Sequence, residues 1–470
     1  MADNMIDNSA PEWALAKYAH DLSFPDIDEK ARHHISKMIF DVIIISIGAY
    51  NKNHQSGKIN EDFNLEYNKS DTGSSLWSGR GKMPANTAAL CNGTWAEILD
   101  YQDVVVDPRN NGHLGVTIIP AAFAVAEREK SSGADLITAI AAGLEVAIAV
   151  LRAVGRKHRS GGRGFRTTSL AGPLGAAVAC AKLLKVDVEQ VLYALGIAGA
   201  CSPNGLMPSL APANGSFGMD KDWVNGQAAQ LGVNAADLAK RGMTASERVV
   251  TGEMGIIASH SHGDGQALIV PNSGTPSIVK ISLKKYACCY GVHSAMDAAA
   301  ILCIEKQLSP DDLDKIIVRV KADSAKTLST RKISNHMAAR FSLPYAVALA
   351  VVKQDNISMH DFEEPAIFDQ IIIKLMDKVE IIADQELTDF HIQTGGFPAQ
   401  IEIYSGSEKY VKRVDYPVGS SQRPMSWDDI EDKFFELTKG HFSPEQCQKI
   451  INSGKKISIM EDINQLSQLL

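Results

Sequence analysis

Apolar residues recur at helical spacing over about the first 260 residues of the chain. In residues 28–50, Ile35, Met38, Ile39, Val42 and Ile43 follow one another at the intervals that place side chains on one face of an α-helix. The same pattern predicts further helices at residues 13–22, 85–99, 116–127, 134–156, 186–200 and 227–241. Residues 51–75 are polar and show no periodicity, which predicts a surface loop.

After about residue 265, apolar and polar residues alternate and β-branched residues become frequent. Strands are predicted at residues 278–286, 315–320, 378–382 and 399–404, with helices after His293 and at residues 338–352. Helical periodicity returns at residues 427–439, 444–452 and 460–469. The pattern therefore predicts a mainly α fold with an inserted α+β domain. Residues 1–271 and 419–470 would form a large helical domain, and residues 272–418 an α+β lid.

Composition narrows the class of protein. A chain of 470 residues exceeds one ordinary core, so two domains are expected. The content of 45% hydrophobic and 22% charged residues is that of a globular protein. A net charge of −8 without a Lys/Arg stripe argues against a nucleic-acid partner. The apolar run at residues 136–151 is interrupted by Glu145, which argues against a membrane span.

Cysteine usage and the N-terminus indicate the compartment. The seven cysteines are scattered and lack zinc-finger spacing, so reduced thiols in an intracellular protein are expected. The acidic N-terminal segment has no apolar signal core. A cytoplasmic location is predicted, or the mitochondrial matrix if the source is eukaryotic.

The strongest candidate for a reactive segment is residues 100–115, DYQDVVVDPRNNGHLG. Pro, Asn and Gly residues break the helical pattern here, between two predicted helices, and loops held by rigid elements often carry reacting groups. Five groups in it offer acid, base or carboxylate-binding chemistry: Asp100, Asp103, Asp107, Arg109 and His113. The alternative interpretation is an ordinary polar turn.

A second candidate is the basic, glycine-rich segment before the helical pattern that follows residue 166. Gly161, Gly162 and Gly164 predict a turn, and Thr167 is one of three hydroxyl residues that can cap the next helix. A helix N-terminus beside basic residues can bind an anion, although the local sequence alone favours a simple connector with solvated arginines. Lys221 precedes the helix predicted at 227–241, and its local context favours an exposed lysine.

Six segments occur in an order that resembles the MmgE/PrpD family, and they cover most of residues 82–352. They are AALCNGTWAEILDYQD, HLGVTIIPAAFAVAE, GFRTTSLAGPLGAAVACAKLL, KDWVNGQAAQLGVNAADLAKRG, KKYACCYGVHSAMDAA and AARFSLPYAVALAVV. The family includes 2-methylcitrate dehydratases, cis-aconitate decarboxylases and an iminodisuccinate epimerase. The resemblance implies a helical domain with an α+β lid, a homodimer, a pocket between the domains, and no metal or organic cofactor.

The resemblance also implies site residues. The family's pocket positions fall on Asp100, His113, Lys221, His293 and Tyr345. The family's usual GFHPT is GFRTT here, so that Arg166 stands where relatives keep a pocket histidine. The implied partner is a small polycarboxylate, without nucleic acid or membrane.

Reactions of this family break a bond next to a carboxylate, and each residue type suits one part of that chemistry. Asp100 and Arg166 are predicted to bind substrate, and His113, Lys221, His293 and Tyr345 to be catalytic. A histidine can move a proton near neutral pH, a cation can hold a carboxylate, and a phenol can protonate a carbanion.

The predicted function is therefore a cofactor-independent lyase that acts on a small di- or tricarboxylate, as a dehydratase or a decarboxylase. Two alternatives remain open. The first is an epimerase of a small dicarboxylate such as iminodisuccinate, which would use two opposed bases. The second is a catalytically degenerate member that binds tricarboxylates, suggested by the replaced pocket histidine.

Overall fold

The computed structural model describes residues 7–68, 70, 72–157, 164–202, 205–206 and 218–470. Its N-terminal half is helical. The α-helices there are α1 (Pro11–Asp21), α2 (Glu29–Asn51), α3 (Gln55–Asn68), α4 (Ala85–Ile98), α5 (Gly115–Glu129), α6 (Gly133–Val154), α7 (Thr167–Leu183), α8 (Val188–Ala200), α9 (Asp220–Lys240) and α10 (Ile256–His260). The short strands are β1 (Ser74–Ser75), β2 (Lys82–Met83), β3 (Val104–Val106) and β4 (Asn111–Gly112).

Helix α6 is buried along most of its length. It is long and apolar enough to cross a membrane, but 89% of its most apolar window is buried inside the protein, as in a core helix. It packs against α7 at Gly143 and Gly175, where a Cβ added to Gly143 would lie 2.4 Å from the Gly175 carbonyl oxygen. Small residues therefore allow the two backbones to approach closely.

Helices α4 and α9 meet in a similar way. A Cβ added to Gly226 of α9 would lie 2.3 Å from the carbonyl oxygen of Leu90 in α4. Only glycine fits at this distance, because any side chain would push the helices apart. The close packing brings the first turn of α9, which contains Lys221, against the last turn of α4, which contains Glu97.

The C-terminal half adds a mixed sheet and more helices. Its strands are β5 (Ile281–Ser282), β6 (Lys315–Val320), β7 (Val379–Ala383), β8 (Ala399–Ser405) and β9 (Glu408–Val414). Its helices are α11 (His293–Lys306), α12 (Ala322–Thr327), α13 (His336–Arg340), α14 (Leu343–Lys353), α15 (Gln370–Met376), α16 (Gln385–Thr394), α17 (Trp427–Leu437), α18 (Pro444–Lys455) and α19 (Asn464–Ser467). The sheet order is β7-β6-β8-β9; β6 and β7 are parallel and the other pairs antiparallel. The mainly α fold with an added α+β part is thus confirmed.

The end of the chain returns to the helical half. Helix α17 packs on α2, where Phe434 stacks on Phe40 at 5.7 Å between ring centroids and Lys433 Nζ lies 2.7 Å from Asp41 Oδ1. This contact agrees with a helical domain built from both ends of the chain. The domain boundaries, after residues 271 and 418, stay a prediction.

Helix α3 contradicts the loop predicted at residues 51–75. Its buried face is polar: Glu61 accepts hydrogen bonds from the Trp95 indole (2.5 Å) and the Ser78 hydroxyl (2.8 Å), while Phe63 on the other face is 62% exposed. Hydrophobic periodicity predicts a helix only when its buried face is apolar. The buried face of α3 is polar, so its sequence lacks that periodicity and the helix was not predicted.

Three element boundaries also differ from the predicted ones. Only Ile281–Ser282 of residues 278–286 is a strand, because its single partner β3 is short. Residues 338–352 fall in two helices, and Ser342 caps the second by accepting a hydrogen bond from the Tyr345 backbone N–H at 3.1 Å. In residues 460–469 only Asn464–Ser467 is α-helical.

Candidate active site

A cavity of about 450 Å³ lies between the helical half and the C-terminal half. Its wall includes Asp100, His113 and Arg166 from the helical half, and Lys284, Lys321 and Phe341 from the C-terminal half. Three of the six predicted site residues, Asp100, His113 and Arg166, therefore line the cavity, and Lys221 lies 3.6 Å from Asp100.

The loop that carries His113 is held by a small antiparallel sheet, β4-β3-β5, in which Val105 pairs with Gly112 and with Ile281. The His113 backbone N–H donates to the Thr168 hydroxyl at 3.0 Å, which ties the loop to the first turn of α7. The sheet and this bond together fix the position of the His113 side chain at the cavity wall.

The His113 ring has one defined tautomer. Its Nδ1 lies 2.6 Å from the carbonyl oxygen of Asp103, and a carbonyl can only accept, so Nδ1 carries the proton. In the neutral ring the basic lone pair is then on Nε2. Burial, and next the positive charge of Lys284, lower the pKa of His113 to about 4, so the ring is neutral at pH 7.

The Asp103 side chain is buried next to the His113 loop. One carboxylate oxygen accepts the Gly115 backbone N–H at 3.0 Å, and the other is buried without a hydrogen-bond partner among the described residues. Burial raises the pKa of Asp103 to about 7. The carboxyl group is therefore partly protonated near neutral pH, next to the residue whose carbonyl orients His113.

Sequence reasoning missed Glu97, which organises the cations of the site. Its Oε1 lies 2.9 Å from Lys221 Nζ and 3.1 Å from Arg166 Nη2, and its Oε2 accepts from Asn225 (2.7 Å) and Gln102 (3.0 Å). Burial alone would raise the pKa of Glu97, but Lys221 and Arg166 outweigh it, so the pKa is lowered. The available signal was a lone carboxylate in an apolar helix that ends at the candidate loop.

Lys284 is the second residue that sequence reasoning missed. Its Nζ donates to the Asp100 carbonyl at 2.7 Å and lies 3.1 Å from Asp100 Oδ2, while Lys221 lies 3.6 Å from Asp100 Oδ1. Burial opposes ionisation of Asp100, but Lys284 and Lys221 outweigh it and lower its pKa. Asp100 is therefore an ionised carboxylate held between two lysines, and it shares Lys221 with Glu97.

The prediction of an exposed Lys221 ahead of a helix was wrong. Helix α9 begins at Asp220, so that Lys221 lies in its first turn, with a side chain only 1% exposed. Residues 220–226 look too polar for a helix, but Lys221 pairs with Glu97 of α4 and Asp222 accepts a hydrogen bond from Ser56 of α3. Burial opposes the charge on Lys221, yet Glu97 and Asp100 raise its pKa.

His293 and Tyr345 are not among the described residues that line the cavity. The His293 ring lies between Tyr286 and Tyr290, 5.2 Å from each ring centroid, and burial lowers its pKa to about 3. Tyr345 donates its hydroxyl hydrogen to the Asp361 carbonyl at 2.5 Å. The structure thus places His293 behind the cavity-lining Tyr290 and Tyr345 in the packed interior, and their catalytic roles stay predictions.

The other candidate residues from the two predicted segments either form ion pairs with neighbouring residues or line the cavity. Asp107 and Arg109 form ion pairs with Arg152 (2.7 Å) and Asp264 (3.1 Å), which anchor the candidate loop to its surroundings. Arg166 and the first residues of α7 do line the cavity, and the side chain of Arg166, the N-cap residue, makes no capping hydrogen bond to that helix. The glycines at 161 and 162 lie outside the described residues.

Comparison with known proteins identifies the family of this chain. The MmgE/PrpD N-terminal domain matches residues 13–268, and the MmgE/PrpD C-terminal domain matches residues 286–457. The chain belongs to the MmgE/PrpD family. The C-terminal domain of the family thus includes α17 and the whole of α18, which in this structure pack on α2.

Several members of the MmgE/PrpD family are similar to this chain along much of its length. Human cis-aconitate decarboxylase is 26% identical over 469 residues, which are 97% of this chain and 94% of the human one. Mouse cis-aconitate decarboxylase is 24% identical over 415 residues, 85% of this chain and 82% of the mouse one. A mitochondrial 2-methylcitrate dehydratase of Yarrowia lipolytica is 21% identical over 259 residues, 53% of this chain and 50% of that one.

Proposed function

We propose that this chain is a cofactor-independent lyase that removes water or carbon dioxide from a small di- or tricarboxylate. The observation that carries the proposal is the part of the cavity wall formed by His113, whose basic nitrogen is Nε2, together with Lys284 and Arg166. The relatives named as decarboxylases and a dehydratase are lyases of such acids, which supports the same class of reaction here.

The charges in this part of the wall suit an anionic substrate. Lys221, Lys284 and Arg166 lie around the carboxylates of Glu97 and Asp100, and Lys221 also lies 3.9 Å from Asp222 Oδ1. Lys284 and Arg166 line the cavity, so both cations can attract a substrate carboxylate that binds there. Because the surroundings are buried, this attraction is screened far less than it would be in water.

The proton step follows from the tautomer of His113. In a dehydration, Nε2 takes a proton from the carbon next to a substrate carboxylate, and the resulting negative charge spreads onto that carboxylate, beside Lys284. The C–O bond to the leaving hydroxyl then breaks, and the hydroxide takes up the proton that His113 removed and leaves as water, which returns the ring to its neutral form. An anionic substrate near His113 raises the pKa of the ring from about 4 towards neutrality, which makes it a better base.

In a decarboxylation, the C–C bond to one carboxylate breaks, the electron pair stays on carbon, and carbon dioxide leaves. The carbanion then needs a proton, which a protonated His113 can deliver. The same residues serve both reactions, so the substrate decides which bond breaks. Neither route involves a metal or an organic cofactor, and turnover is expected to survive exhaustive chelation.

One observation favours an epimerase as the second candidate. His391 also lines the cavity, and its Nδ1 lies 2.6 Å from the Gly396 carbonyl, which again leaves the lone pair on Nε2. A two-base exchange at one carbon requires one base that removes the proton and a second, protonated base that delivers a proton to the opposite face, and Nε2 of each histidine can serve in either role. Burial lowers the pKa of His391 to about 3, so an anionic substrate would have to raise it further than that of His113.

Incubation of the pure protein with citrate, 2-methylcitrate, cis-aconitate and iminodisuccinate in D₂O, followed by mass spectrometry, tests the proposal. Loss of water or carbon dioxide supports a lyase. Deuterium incorporation without bond cleavage points to an epimerase. Tight binding of a tricarboxylate without turnover identifies a degenerate binding member and rejects the lyase.

Assembly and location belong to the same proposal. We expect a homodimer in the cytoplasm or, in a eukaryotic source, in the mitochondrial matrix, and the relative from Yarrowia lipolytica is named as mitochondrial. Light scattering of the purified chain measures the oligomeric state, and a mass of one protomer would contradict the expected homodimer.

A further inference from the structure

Three side chains that can bind a metal meet outside the cavity. His54 follows α2, His336 begins α13, and Glu363 lies in the segment after α14. One ligand atom from each of the three lies within 4.8 Å of the others, and the two imidazole rings are 5.1 Å apart between centroids. The three residues come from distant parts of the sequence, so no spacing motif could have predicted this cluster.

The orientation of His54 is a second, independent observation. Its side chain is only 9% exposed and its Nε2 lies 3.3 Å from Glu363 Oε1. Apart from this contact, Nε2 is buried and makes no hydrogen bond of good geometry in the described part of the chain. Buried polar atoms are nearly always well paired, so a buried ring nitrogen that faces Glu363 without a good hydrogen bond is suited to take a metal ligand's role.

Glu363 is held in the way that metal-ligating carboxylates usually are. Arg340 donates to Glu363 Oε1 and also to the Ile98 carbonyl at 2.8 Å, which anchors the guanidinium against α4. Hydrogen bonds of this kind orient a ligating carboxylate and are a regular part of metal sites. Arg340 also offsets the charge of Glu363, so the site is not simply a concentration of negative charge.

We propose that His54, His336 and Glu363 bind one divalent transition-metal ion of the zinc class, with water in the remaining position. Two imidazoles and a carboxylate suit Zn²⁺, Co²⁺ or Ni²⁺ better than Mg²⁺ or Ca²⁺, which prefer oxygen ligands. Tetrahedral zinc ligands at 2.0–2.1 Å lie roughly 3.3 Å apart, so side-chain rotations must close the cluster by about 1.5 Å.

The position suggests what such an ion does. It would join the end of α2 to α13 and to the segment at Glu363, and so clamp the helical half to the C-terminal half. Ser56, two residues after His54, donates to Asp222 at 2.7 Å, and Asp222 is the chain neighbour of Lys221. The ion would therefore steady the outer side of the helix turn that carries Lys221, without contacting the cavity.

Metal binding to the full chain tests the proposal directly. The protein is stripped with a chelator, dialysed and titrated with Zn²⁺ by calorimetry, and the bound metal is counted by plasma mass spectrometry after gel filtration. We expect one ion per chain, and at least 100-fold weaker binding in His54→Ala and His336→Ala. His33→Ala, which removes an exposed histidine on α2, is the control and should bind like the wild type.

Two further measurements keep the result decisive. Glu363→Gln and His336→Gln are close in shape to the native side chains, and they replace the alanine variants if those fail to fold. Zn²⁺ should raise the unfolding temperature of the wild type and of His33→Ala, but not of the ligand variants. A wild-type chain that binds no Zn²⁺, or ligand variants that bind it with unchanged affinity, would overturn the proposal.

Discussion

Replacement of Arg166 by alanine is the perturbation that best tests the site, because this residue most distinguishes the cavity from the family pattern. The side chain is 2% exposed, donates to the Lys221 carbonyl at 2.8 Å and contacts Glu97 at 3.1 Å, and it also lines the cavity. Two of its N–H groups are thus already used by the protein. A substrate carboxylate can receive only the remaining ones.

The magnitude follows from this sharing. Removal of one partner of a buried charge pair between protein and ligand weakens binding by roughly 2–5 kcal/mol. Because the Arg166 guanidinium also bonds to the protein, we expect a loss of binding free energy at the low end of this range. A loss of about 2 kcal/mol is a rise in KM of about 30-fold. Glu97 keeps Lys221, Asn225 and Gln102 as partners, so the free energy of unfolding should fall by only about 1–3 kcal/mol.

Steady-state kinetics with an accepted acid, together with thermal unfolding, measure both effects. Arg166→Lys keeps the positive charge but loses the planar, two-pronged hydrogen-bond geometry of the guanidinium. This variant should therefore bind substrate more tightly than Arg166→Ala and less tightly than the wild type. Arg166→His restores the residue that the family usually has, and should shift preference towards the usual tricarboxylates. If Arg166→Ala leaves both KM and kcat unchanged while the protein stays folded, Arg166 does not bind substrate and the reasoning is wrong.

Three further changes test other parts of the site. His113→Gln should lower kcat by a factor on the order of 10² to 10⁴ with little change in KM, and an unchanged kcat would remove His113 from the mechanism. Asp103 has a pKa raised from 3.8 to about 7, so the folded state holds its proton while the unfolded state loses it. The free energy of unfolding should therefore fall between about pH 4 and pH 7, by at most about 4 kcal/mol from this group. Asp103→Asn should remove that slope in denaturant titrations, and a slope that persists contradicts the assignment. Gly226→Ala places a Cβ 2.3 Å from the Leu90 carbonyl oxygen, so it should lower the free energy of unfolding by about 1–3 kcal/mol and displace Lys221. Chemical denaturation measures the stability, and kcat reports the displacement of Lys221. Wild-type values of both would disprove the tight contact.

The helices that the sequence predicted well are those whose buried face is apolar. Glu29–Asn51 and Gly133–Val154 fall within one or two residues of the predicted ranges, because their cores are formed by Ile, Val, Leu and Ala at regular intervals. Lys315–Val320 was predicted to the residue, since a central strand buried on both sides needs β-branched residues. Where the buried face is polar, as in Gln55–Asn68, the same rule failed.

Lys221 shows the limit of local context for a charged residue. Between two aspartates, at the start of a polar segment, a lysine is expected at the surface. Its burial depends on Glu97 and Asp100, which are more than 100 positions away in the chain, and on the glycine at 226 that lets the two helices touch. Only the resemblance to a family, and not the local sequence, pointed to it as a pocket residue.

The sequence by itself determined the class of fold, the family and a loop with a histidine and carboxylates, because periodicity and motif order are properties of neighbouring residues. The tertiary structure alone decided which groups meet. It placed Glu97 and Lys284 in the site, left Tyr345 in the packed interior, and gathered His54, His336 and Glu363 into a separate cluster. The physical reason is that electrostatic interactions between buried groups act through space, over a few ångströms, whatever their separation along the chain.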